Sequence, residues 1–346
     1  MEERLGRLEN MVNHWNGRSV LVTGATGLLG SWLVEDLLAR GALVICLIRD
    51  SVPRCRLFDE GLDRRVVAVR GDLNDLPLLV RALNEYEIHT VFHLAAQTIV
   101  GTAVRSPLST FESNIRGTWN VLEACRVCGK TVERVVFASS DKAYGAHAQL
   151  PYSEETPLIG RAPYDVSKSC ADLIARSFFE TYGVPVVITR CANLFGGGDL
   201  NFNRLIPGAI QAGLTGTRFV IRSDGTLVRD FLYVKDAVHA YTTVAEAIGQ
   251  PGISGEAFNF GLDQPRSVVQ VVERIYACLG QTDYNPLVLG EANHEIPAQY
   301  MDCRRARSTL NWQPRFSFDD GLRETIEWYR GWLHRNAPSG TSATIR

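Results

Sequence analysis

Three glycines, each three residues after the last, stand between a short apolar run and a stretch with helical periodicity. Val20, Leu21 and Val22 form the run, and Thr23-Gly24-Ala25-Thr26-Gly27-Leu28-Leu29-Gly30 follows it directly. A glycine turn between a strand and a helix lets backbone N–H groups approach a pyrophosphate at the positive end of the helix dipole. Without that context, three glycines would equally predict a plain tight turn. The turn therefore predicts a dinucleotide site, with contacts from Gly24, Thr26, Gly27, Leu28, Leu29 and Gly30.

Strand and helix patterns alternate through the first half of the chain. Apolar runs are found at 20–22, 43–48, 66–69, 90–94, 135–138 and 186–189, and helical patterns such as 31–38, 76–85, 114–127 and 164–182 separate them. Fully apolar strands alternating with helices indicate a parallel sheet covered on both faces. The predicted fold class is α/β, a Rossmann-type doubly wound parallel sheet with a smaller carboxy-terminal α/β substrate domain.

The alternation stops after Asn193, where Gly196-Gly197-Gly198 opens a less regular region. A helix at 234–247 and a strand at 257–260 are predicted to return to the first domain, and further helices are predicted at 268–279 and 318–332. We therefore predict a dinucleotide-binding domain over 17–193 plus about 229–260. The predicted substrate domain comprises 194–228 and 261–335.

Composition excludes several classes of protein. The 346 residues carry 36 basic and 38 acidic side chains, a net charge of −2, so no bulk charge favours nucleic acid or anionic lipid. No apolar run approaches the roughly 20 residues of a membrane span. The close pair Cys125 and Cys128 has no second pair to complete a metal site. The charged start MEERLGRLEN lacks the apolar core of a signal peptide, so we expect a cytoplasmic enzyme without metal, nucleic-acid or membrane partners.

The end of the second predicted strand bears on the choice of cofactor. An NAD site has a carboxylate there for the ribose diol, whereas an NADP site has a guanidinium for the 2′-phosphate. The chain reads Leu47-Ile48-Arg49-Asp50, and with Ile48 at the acidic position Arg49 favours NADP. A shift of one residue would place Asp50 there and favour NAD. After a later strand, Asp72 could accept a hydrogen bond from the adenine amino group or cap a helix.

Tyr164 and Lys168 lie one helical turn apart at the start of a predicted helix. An ammonium group beside a phenol lowers the pKa of the phenol, which can then take a proton from a sugar hydroxyl. Ser140 follows an apolar run, hence it lies at the carboxyl end of a strand, where open α/β sheets bind ligands. The glycine turn, Ser140, Tyr164 and Lys168, in this order, together predict a redox site.

From about Ser19 to about Trp332 the sequence resembles the extended short-chain dehydrogenase/reductase family, in its nucleotide-sugar branch. The resemblance rests on TGATGLLG, GDL, HLAAQ, SNIRGT, SSDKAYG, YDVSK, NLFGGGD and VRDFLYVKDA. It implies that Ser140, Tyr164 and Lys168 form the proton and hydride relay. It also implies NAD(P) contacts from Asp72, Leu73, Leu94, Ala95, Ala96, Tyr164 and Lys168, and nucleotide-sugar contacts from Gln97, Asn193, Arg204 and Arg229. Relatives commonly form a homodimer through helices that correspond here to 114–127 and 164–182.

The two residues after Ser140 distinguish the subfamilies. Asp141-Lys142 is similar to CDP-glucose 4,6-dehydratases, whereas dTDP-glucose dehydratases have Asp-Glu and epimerases have small or apolar residues there. The resemblance therefore implies a 4,6-dehydratase that acts on a nucleotide hexose, with CDP-glucose as the closest match. Val228-Arg229-Asp230-Phe231 is similar to the wider branch and leaves the nucleotide base open.

Dehydration needs an acid and a base beyond the redox relay. Oxidation of C4 to a ketone acidifies the C5 proton, which a base removes while an acid protonates the departing 6-hydroxyl. We assign Asp141 as the acid and Lys142 as the base, or as the group that polarises the enolate. Hydride then returns to C6, so NAD(P) stays tightly bound and is recycled. The alternatives are a turn cap for Asp141, a solvated lysine at 142, a 4-epimerase or reductase, and a non-catalytic nucleotide-binding protein.

Overall fold

A seven-stranded, fully parallel sheet forms the centre of the protein. The computed structural model describes residues 14–336, apart from 51, 53, 283 and 292–294. The strands of the sheet are β1 (Ser19–Thr23), β2 (Leu43–Ile48), β3 (Val67–Arg70), β4 (Thr90–His93), β5 (Arg134–Ala138), β6 (Val186–Cys191) and β7 (Ala257–Phe260). Their spatial order is 3-2-1-4-5-6-7. The predicted doubly wound parallel sheet is confirmed, and the predicted limits of β2 and β7 match the observed ones.

Helices cover both faces of this sheet, because its strands alternate apolar side chains between two cores. Val20 and Val22 pack in one core with helices 28–39 and 234–247. Leu21 packs in the other core with helices 76–85, 117–127 and 163–182. The α-helices of the described residues are Leu28–Ala39, Arg56–Asp59, Leu76–Glu85, Val100–Arg105, Pro107–Phe111, Gly117–Val127, Pro163–Tyr182, Leu205–Thr215, Val234–Ala247, Val268–Cys278, Arg304–Leu310 and Phe318–Arg335.

Short irregular helices occur at two places near the carboxyl edge of the sheet. Asp141–Tyr144 is a 3₁₀-helix and Glu112–Arg116 is a π-helical turn, so the helix predicted at 114–127 is interrupted at its start. A further 3₁₀-helix spans Leu62–Arg65. None of the helices in the described part of the chain is long and apolar enough to span a membrane.

The carboxy-terminal half contains the helices predicted near 268–279 and 318–332, and it adds helix 205–215 and short strands that the sequence pattern did not indicate. Helices 205–215, 268–278 and 318–335 pack against one another. Strand Val228–Arg229 lies between Arg266–Ser267 and Ala298–Gln299 in a three-stranded sheet. Two further small sheets join Asn193–Phe195 to Phe231–Tyr233 and Val220–Ile221 to Leu287–Val288.

The strand order reverses between β1 and β4, where open α/β sheets bind ligands. Thr23 at the end of β1 is paired with His93 at the end of β4. The Thr23 hydroxyl lies 2.8 Å from His93 Nδ1 and accepts hydrogen bonds from the backbone N–H groups of Leu94 and Ala95, each at 3.2 Å. These contacts join the ends of β1 and β4 beside the crevice.

Candidate active site

One large cavity lies at this edge of the sheet and brings most of the predicted site residues together. Its volume is about 1100 Å³, above the roughly 300–1,000 Å³ typical of a pocket for one ligand, so it has room for a dinucleotide and a substrate. The predicted residues that line it are Gly24, Thr26, Gly27, Leu28, Leu29, Gly30, Arg49, Asp72, Leu73, Leu94, Ala95, Ala96, Gln97, Ser140, Asp141, Lys142, Tyr164, Lys168, Asn193 and Arg204. Arg229 instead lines an adjoining pocket of about 180 Å³.

The glycine turn fits the pyrophosphate of a dinucleotide. Gly24 has a φ of +77°, and a Cβ on it would lie 2.7 Å from the Ala95 nitrogen. A Cβ on Gly30 would lie 2.1 Å from the Gly24 carbonyl oxygen, so the helix can start against the turn only if residue 30 is glycine. No side chain caps the helix at Gly27, which leaves its first N–H groups directed at the cavity.

The adenosine end of the cavity combines one guanidinium with two carboxylates. Arg49 Nε donates to Asp50 Oδ2 at 2.7 Å and lies 3.8 Å from Asp72 Oδ2. Asp72 does not cap a helix, because Asp75 accepts the hydrogen bond from Leu78 N at the start of helix 76–85. Instead, Asp72 Oδ1 accepts from the Asn74 N–H within the preceding turn at 2.8 Å.

Tyr164 and Lys168 project from the first turns of helix 163–182 into the cavity, and both are buried. Burial raises the pKa of Tyr164 to about 12, and the charge of Asp141 adds to this, although a hydrogen bond with Ser140 opposes it. The pKa of Tyr164 in the protein alone is therefore raised, not lowered as the Tyr164–Lys168 spacing predicted, and burial is the main cause. Burial also lowers the pKa of Lys168 to about 8, while Asp172 acts in the opposite direction.

Lys168 is held at the end of β5 by a backbone carbonyl, and Asp172, whose charge acts on Lys168, belongs to a buried ion pair. Its Nζ donates to the Ala138 carbonyl oxygen at 2.7 Å. Asp172, one turn farther along the helix, accepts from Arg190 Nε at 2.9 Å and Nη2 at 2.8 Å, and from Ser139 Oγ at 2.7 Å. No sequence signal indicated Asp172 and Arg190, because their pairing joins a helix to β6.

Ser140, Asp141 and Lys142 form a connected polar group around the 3₁₀-helix that follows β5. Ser140 Oγ accepts from the Lys142 N–H at 3.2 Å and donates to Asp141 Oδ1 at 3.0 Å. Asp141 is 3% exposed, and its Oδ2 lies 3.0 Å from Lys142 Nζ. Lys142 is therefore not a solvated surface lysine, and Asp141 is ion-paired rather than a simple turn cap.

Lys142 Nζ also donates to Oε1 of Gln299, a residue that the sequence reasoning missed. Gln299 lies on the strand Ala298–Gln299 and is 1% exposed. Its position near the site follows from tertiary packing alone, so no local pattern could have indicated it.

The predicted substrate residues are divided between the two cavities. Asn193 and Arg204 line both of them, and Arg204 Nη1 is paired with Asp199 Oδ2 at 2.9 Å. Arg229 Nη2 lies 3.5 Å from Glu295 Oε2. Arg105 and Arg222 also line the large cavity; the sequence reasoning missed both, because arginines in loops and at helix ends resemble ordinary surface residues.

Asn114 fixes the loop that carries Gln97. Its amide accepts from Gln97 N at 2.7 Å, and donates to Gln97 O at 3.0 Å and to Ser167 Oγ at 2.9 Å. The π-helical turn around Asn114 widens the helix at this point, a feature common at functional sites. Among the residues with defined positions, no cluster of His, Cys, Asp or Glu could hold a metal ion.

Comparisons with known proteins agree with this geometry. Residues 21–325 match the family described as GDP-mannose 4,6 dehydratase. A CDP-glucose 4,6-dehydratase of Salmonella typhimurium is 32% identical over 336 residues, which cover 93% of each chain. The structure of a dTDP-glucose 4,6-dehydratase of Streptomyces venezuelae with NAD bound has a TM-score of 0.81 at 28% identity and covers 92% of this chain and 99% of its own. A UDP-glucose 4-epimerase of Thermotoga maritima, solved with UDP-glucose, has a TM-score of 0.83 at 27% identity and covers 91% and 99%.

Proposed function

Because the chain belongs to the GDP-mannose 4,6 dehydratase family and is an NAD(P)-dependent nucleotide-sugar 4,6-dehydratase, we propose that it converts CDP-glucose to CDP-4-keto-6-deoxyglucose and water. The observation that carries the proposal is the Asp141–Lys142 ion pair, which adjoins Ser140 and shares a cavity with Tyr164 and Lys168. An epimerase needs the redox relay alone, whereas water loss needs this second acid–base pair.

The first half of the proposed reaction uses Tyr164 and Ser140. Tyr164, as phenolate, accepts the proton of the sugar 4-hydroxyl, and Ser140 holds the same oxygen by a hydrogen bond. NAD(P)⁺, held by the glycine turn, would supply the acceptor for the C4 hydride. Burial raises the pKa of Tyr164 to about 12 in the protein alone, and a cationic cofactor in the same cavity would favour the phenolate.

The second half uses Asp141 and Lys142. Lys142 removes the C5 proton of the 4-keto sugar, and Asp141 gives a proton to the departing 6-hydroxyl, so one water leaves and a C5–C6 double bond forms. The hydride taken from C4 would return to C6, and the proton that Tyr164 accepted from the 4-hydroxyl would return by way of solvent to C5. This completes the 6-deoxy product with no net oxidation and leaves Tyr164 as it began. The 3.0 Å contact between the two side chains allows the proton that Lys142 gains to pass to Asp141 for the next turnover.

The scarcity of lysine in the chain supports a chemical role for Lys142. Among the 36 lysine and arginine residues only Lys130, Lys142, Lys168 and Lys235 are lysines, and two of them line the cavity. Arginine stays protonated in proteins, whereas an amine can lose its proton in a suitable environment. The chain therefore has amines at the two cavity positions where the proposed reaction needs a titratable cation.

The nucleotide end of the substrate is proposed to occupy the adjoining pocket. Arg229, Asn193 and Arg204 line it, and their guanidinium and amide groups suit a diphosphate. Gln97 lines the large cavity, and we propose that it contacts the hexose. The same pocket would accept other pyrimidine diphosphates, so CDP is the part of the proposal that most needs an assay.

The preference for NADP over NAD remains a proposal with observations on each side. Arg49, with its side chain 57% exposed at the cavity, could bind a 2′-phosphate. Asp50 and Asp72 oppose this, since their carboxylates already neutralise the guanidinium and would repel the phosphate. The test is to measure the dissociation constants of NAD and NADP with the wild type and with Arg49→Ala. If the wild type binds NADP more tightly than NAD and the variant loses this difference, the result supports a preference for NADP through Arg49.

A homodimer, the two-domain division and a cytoplasmic location are proposed from the sequence. The dimer is supported by exposed apolar side chains on neighbouring helices, among them Val104, Leu108, Trp119 and Leu173. Among the large apolar residues that the structure describes, Leu108 and Val104 have the highest exposed fractions, 76% and 62%. Substituting both residues by glutamate would yield a monomer by light scattering if this face forms the interface.

The decisive experiment is a product assay by mass spectrometry. The protein and cofactor are incubated with CDP-, dTDP-, UDP- and GDP-glucose separately. We expect CDP-glucose to give a product lighter by one water, without net reduction of the cofactor. An isomer of unchanged mass would identify a 4-epimerase, and dehydration of another nucleotide sugar alone would correct the base.

A further inference from the structure

We propose that Gln299 is a positioning residue that orients Lys142 for the water-eliminating half of the reaction, an inference that rests on the proposed dehydratase function. Gln299 is 157 residues away from Lys142 in sequence, and its carboxamide lies against the 3₁₀-helix that carries the lysine. Oε1 accepts from Lys142 Nζ. Nε2 donates to the carbonyl oxygens of Asp141 at 2.9 Å and Gly145 at 3.5 Å.

These contacts determine which way the amide of Gln299 points. Carbonyl oxygens only accept hydrogen bonds and an ammonium group only donates them. Rotation of the amide by 180° would set Oε1 against two carbonyl oxygens and the NH₂ group against Lys142. The acceptor end is therefore held toward the lysine by the backbone at Asp141 and Gly145.

The backbone that carries Gln299 is itself fixed on both sides. Gln299 pairs in parallel register with Arg229, and Val228 N donates to Pro297 O at 2.8 Å. Tyr152 N donates to Tyr300 O at 3.0 Å, and Asp302 N donates to Tyr152 O at 2.9 Å. A side chain that is 1% exposed on a backbone bound in this way has little freedom, which is the requirement for orienting a neighbour.

Lys142 gains a defined position from this contact. Its ammonium has three N–H donors, and Asp141 Oδ2 and Gln299 Oε1 take two of them, so one remains for the cavity. A free lysine side chain samples many rotamers, and misplacement of a reacting group by about 1 Å can slow a step 10²-fold. A neutral amide orients the amine without adding a negative charge that would hinder its deprotonation.

The test compares Gln299→Met with a matched control, Asn259→Leu. Asn259 is also a fully buried amide, and its Nδ2 donates to Tyr152 O at 3.1 Å and Asp302 O at 3.2 Å. It therefore anchors the same chain segments, but its partners do not include Lys142. Single-turnover reactions with CDP-glucose are followed by the absorbance of reduced nicotinamide and by the mass of the sugar.

We expect Gln299→Met to reduce the cofactor at the wild-type rate but to lose water at least ten-fold more slowly, so that reduced cofactor accumulates. Asn259→Leu should keep the wild-type ratio of the two rates. Wild-type water loss in Gln299→Met, or equal slowing of both steps, would overturn the proposal. If another nucleotide glucose is the one that the wild type dehydrates, the same comparison is made with it.

Two further measurements keep the inference separate from the proposed function. Gln299→Glu adds a carboxylate beside Lys142, which should move the pH dependence of water loss upward by about one unit; an unchanged profile contradicts the contact. Lysine labelled with ¹³C should give four Cε signals, and in Gln299→Met that of Lys142 should move toward the signal of exposed Lys130. If the wild type dehydrates no nucleotide sugar, the proposed function fails, and an unmoved Lys142 signal then overturns the positioning role on its own.

Discussion

Replacement of Lys168 by methionine should make the protein more stable at pH 7 while abolishing its activity. Lys168 is 5% exposed, and burial lowers its pKa from 10.5 to about 8. At 1.36 kcal/mol per pH unit, holding this ammonium charged at pH 7 costs the folded state about 3 kcal/mol. Methionine removes that cost but leaves the Ala138 carbonyl oxygen without its donor, a loss of about 1 kcal/mol. The expected gain is about 2 kcal/mol.

The size of the stability gain in Lys168→Met should depend on pH, and this dependence identifies its cause. Between pH 8 and pH 10.5 the unfolded chain keeps the Lys168 proton that the folded protein has lost, so wild-type stability rises with pH through this group. The advantage of Lys168→Met should therefore shrink by about 2 kcal/mol between pH 7 and pH 9.5. Other groups that titrate in this range are common to both proteins and cancel in the difference.

The assay is urea unfolding of the wild type, Lys168→Met and Lys130→Met at one protein concentration, across that pH range. Lys130 is exposed in the native protein, so its variant should follow the wild type at every pH. Parallel pH dependence for wild type and Lys168→Met, with no gain at pH 7, would refute the reasoning that the buried lysine is held charged against its environment.

Three other substitutions test separate parts of the site. Lys142→Gln should permit C4 oxidation but stall water loss, so that reduced nicotinamide accumulates; full turnover would remove Lys142 from the mechanism. Gly30→Ala should abolish cofactor binding in a fluorescence titration, because its Cβ would lie 2.1 Å from the Gly24 oxygen, and near-normal affinity would show that the turn can adapt. The pKa of His93 is lowered to about 3 by burial, so the free energy of unfolding of the wild type should fall as the pH drops below 6.5. In His93→Asn the urea midpoint should change less between pH 6.5 and pH 4. The same pH dependence of the midpoint in both proteins would contradict this.

The sheet could be predicted closely because most of its strands are buried on both faces. A continuous apolar run such as Leu43–Ile48 needs burial on both of its faces, and a strand inside a parallel sheet provides that burial. The small sheets of the second half have strands of two or three residues, among them Val228–Arg229 and Ala298–Gln299. Such strands are too short to carry any periodicity, so only long-range packing determines them.

The site shows the same division between local and tertiary information. The glycine turn and the Asp141-Lys142 pair lie within single segments, so the turn could be predicted from its place between a strand and a helix, and the pair from its place after Ser140 together with the family resemblance. The pKa of Tyr164 depends on how deeply the phenol is buried, and the sequence pattern contains no measure of that depth. Gln299 and Arg190 approach the site from distant segments, where a glutamine in a two-residue strand or an arginine in β6 has no distinguishing neighbours.

The small number of lysines has a consequence for the product as well as for the reaction. Primary amines condense with ketones to form imines, whereas guanidinium groups stay protonated and do not. A protein that releases a keto sugar and has, outside the cavity, only Lys130 and Lys235 as amine side chains offers its own product few places to attach. Its surface should accumulate little covalent sugar during long incubations.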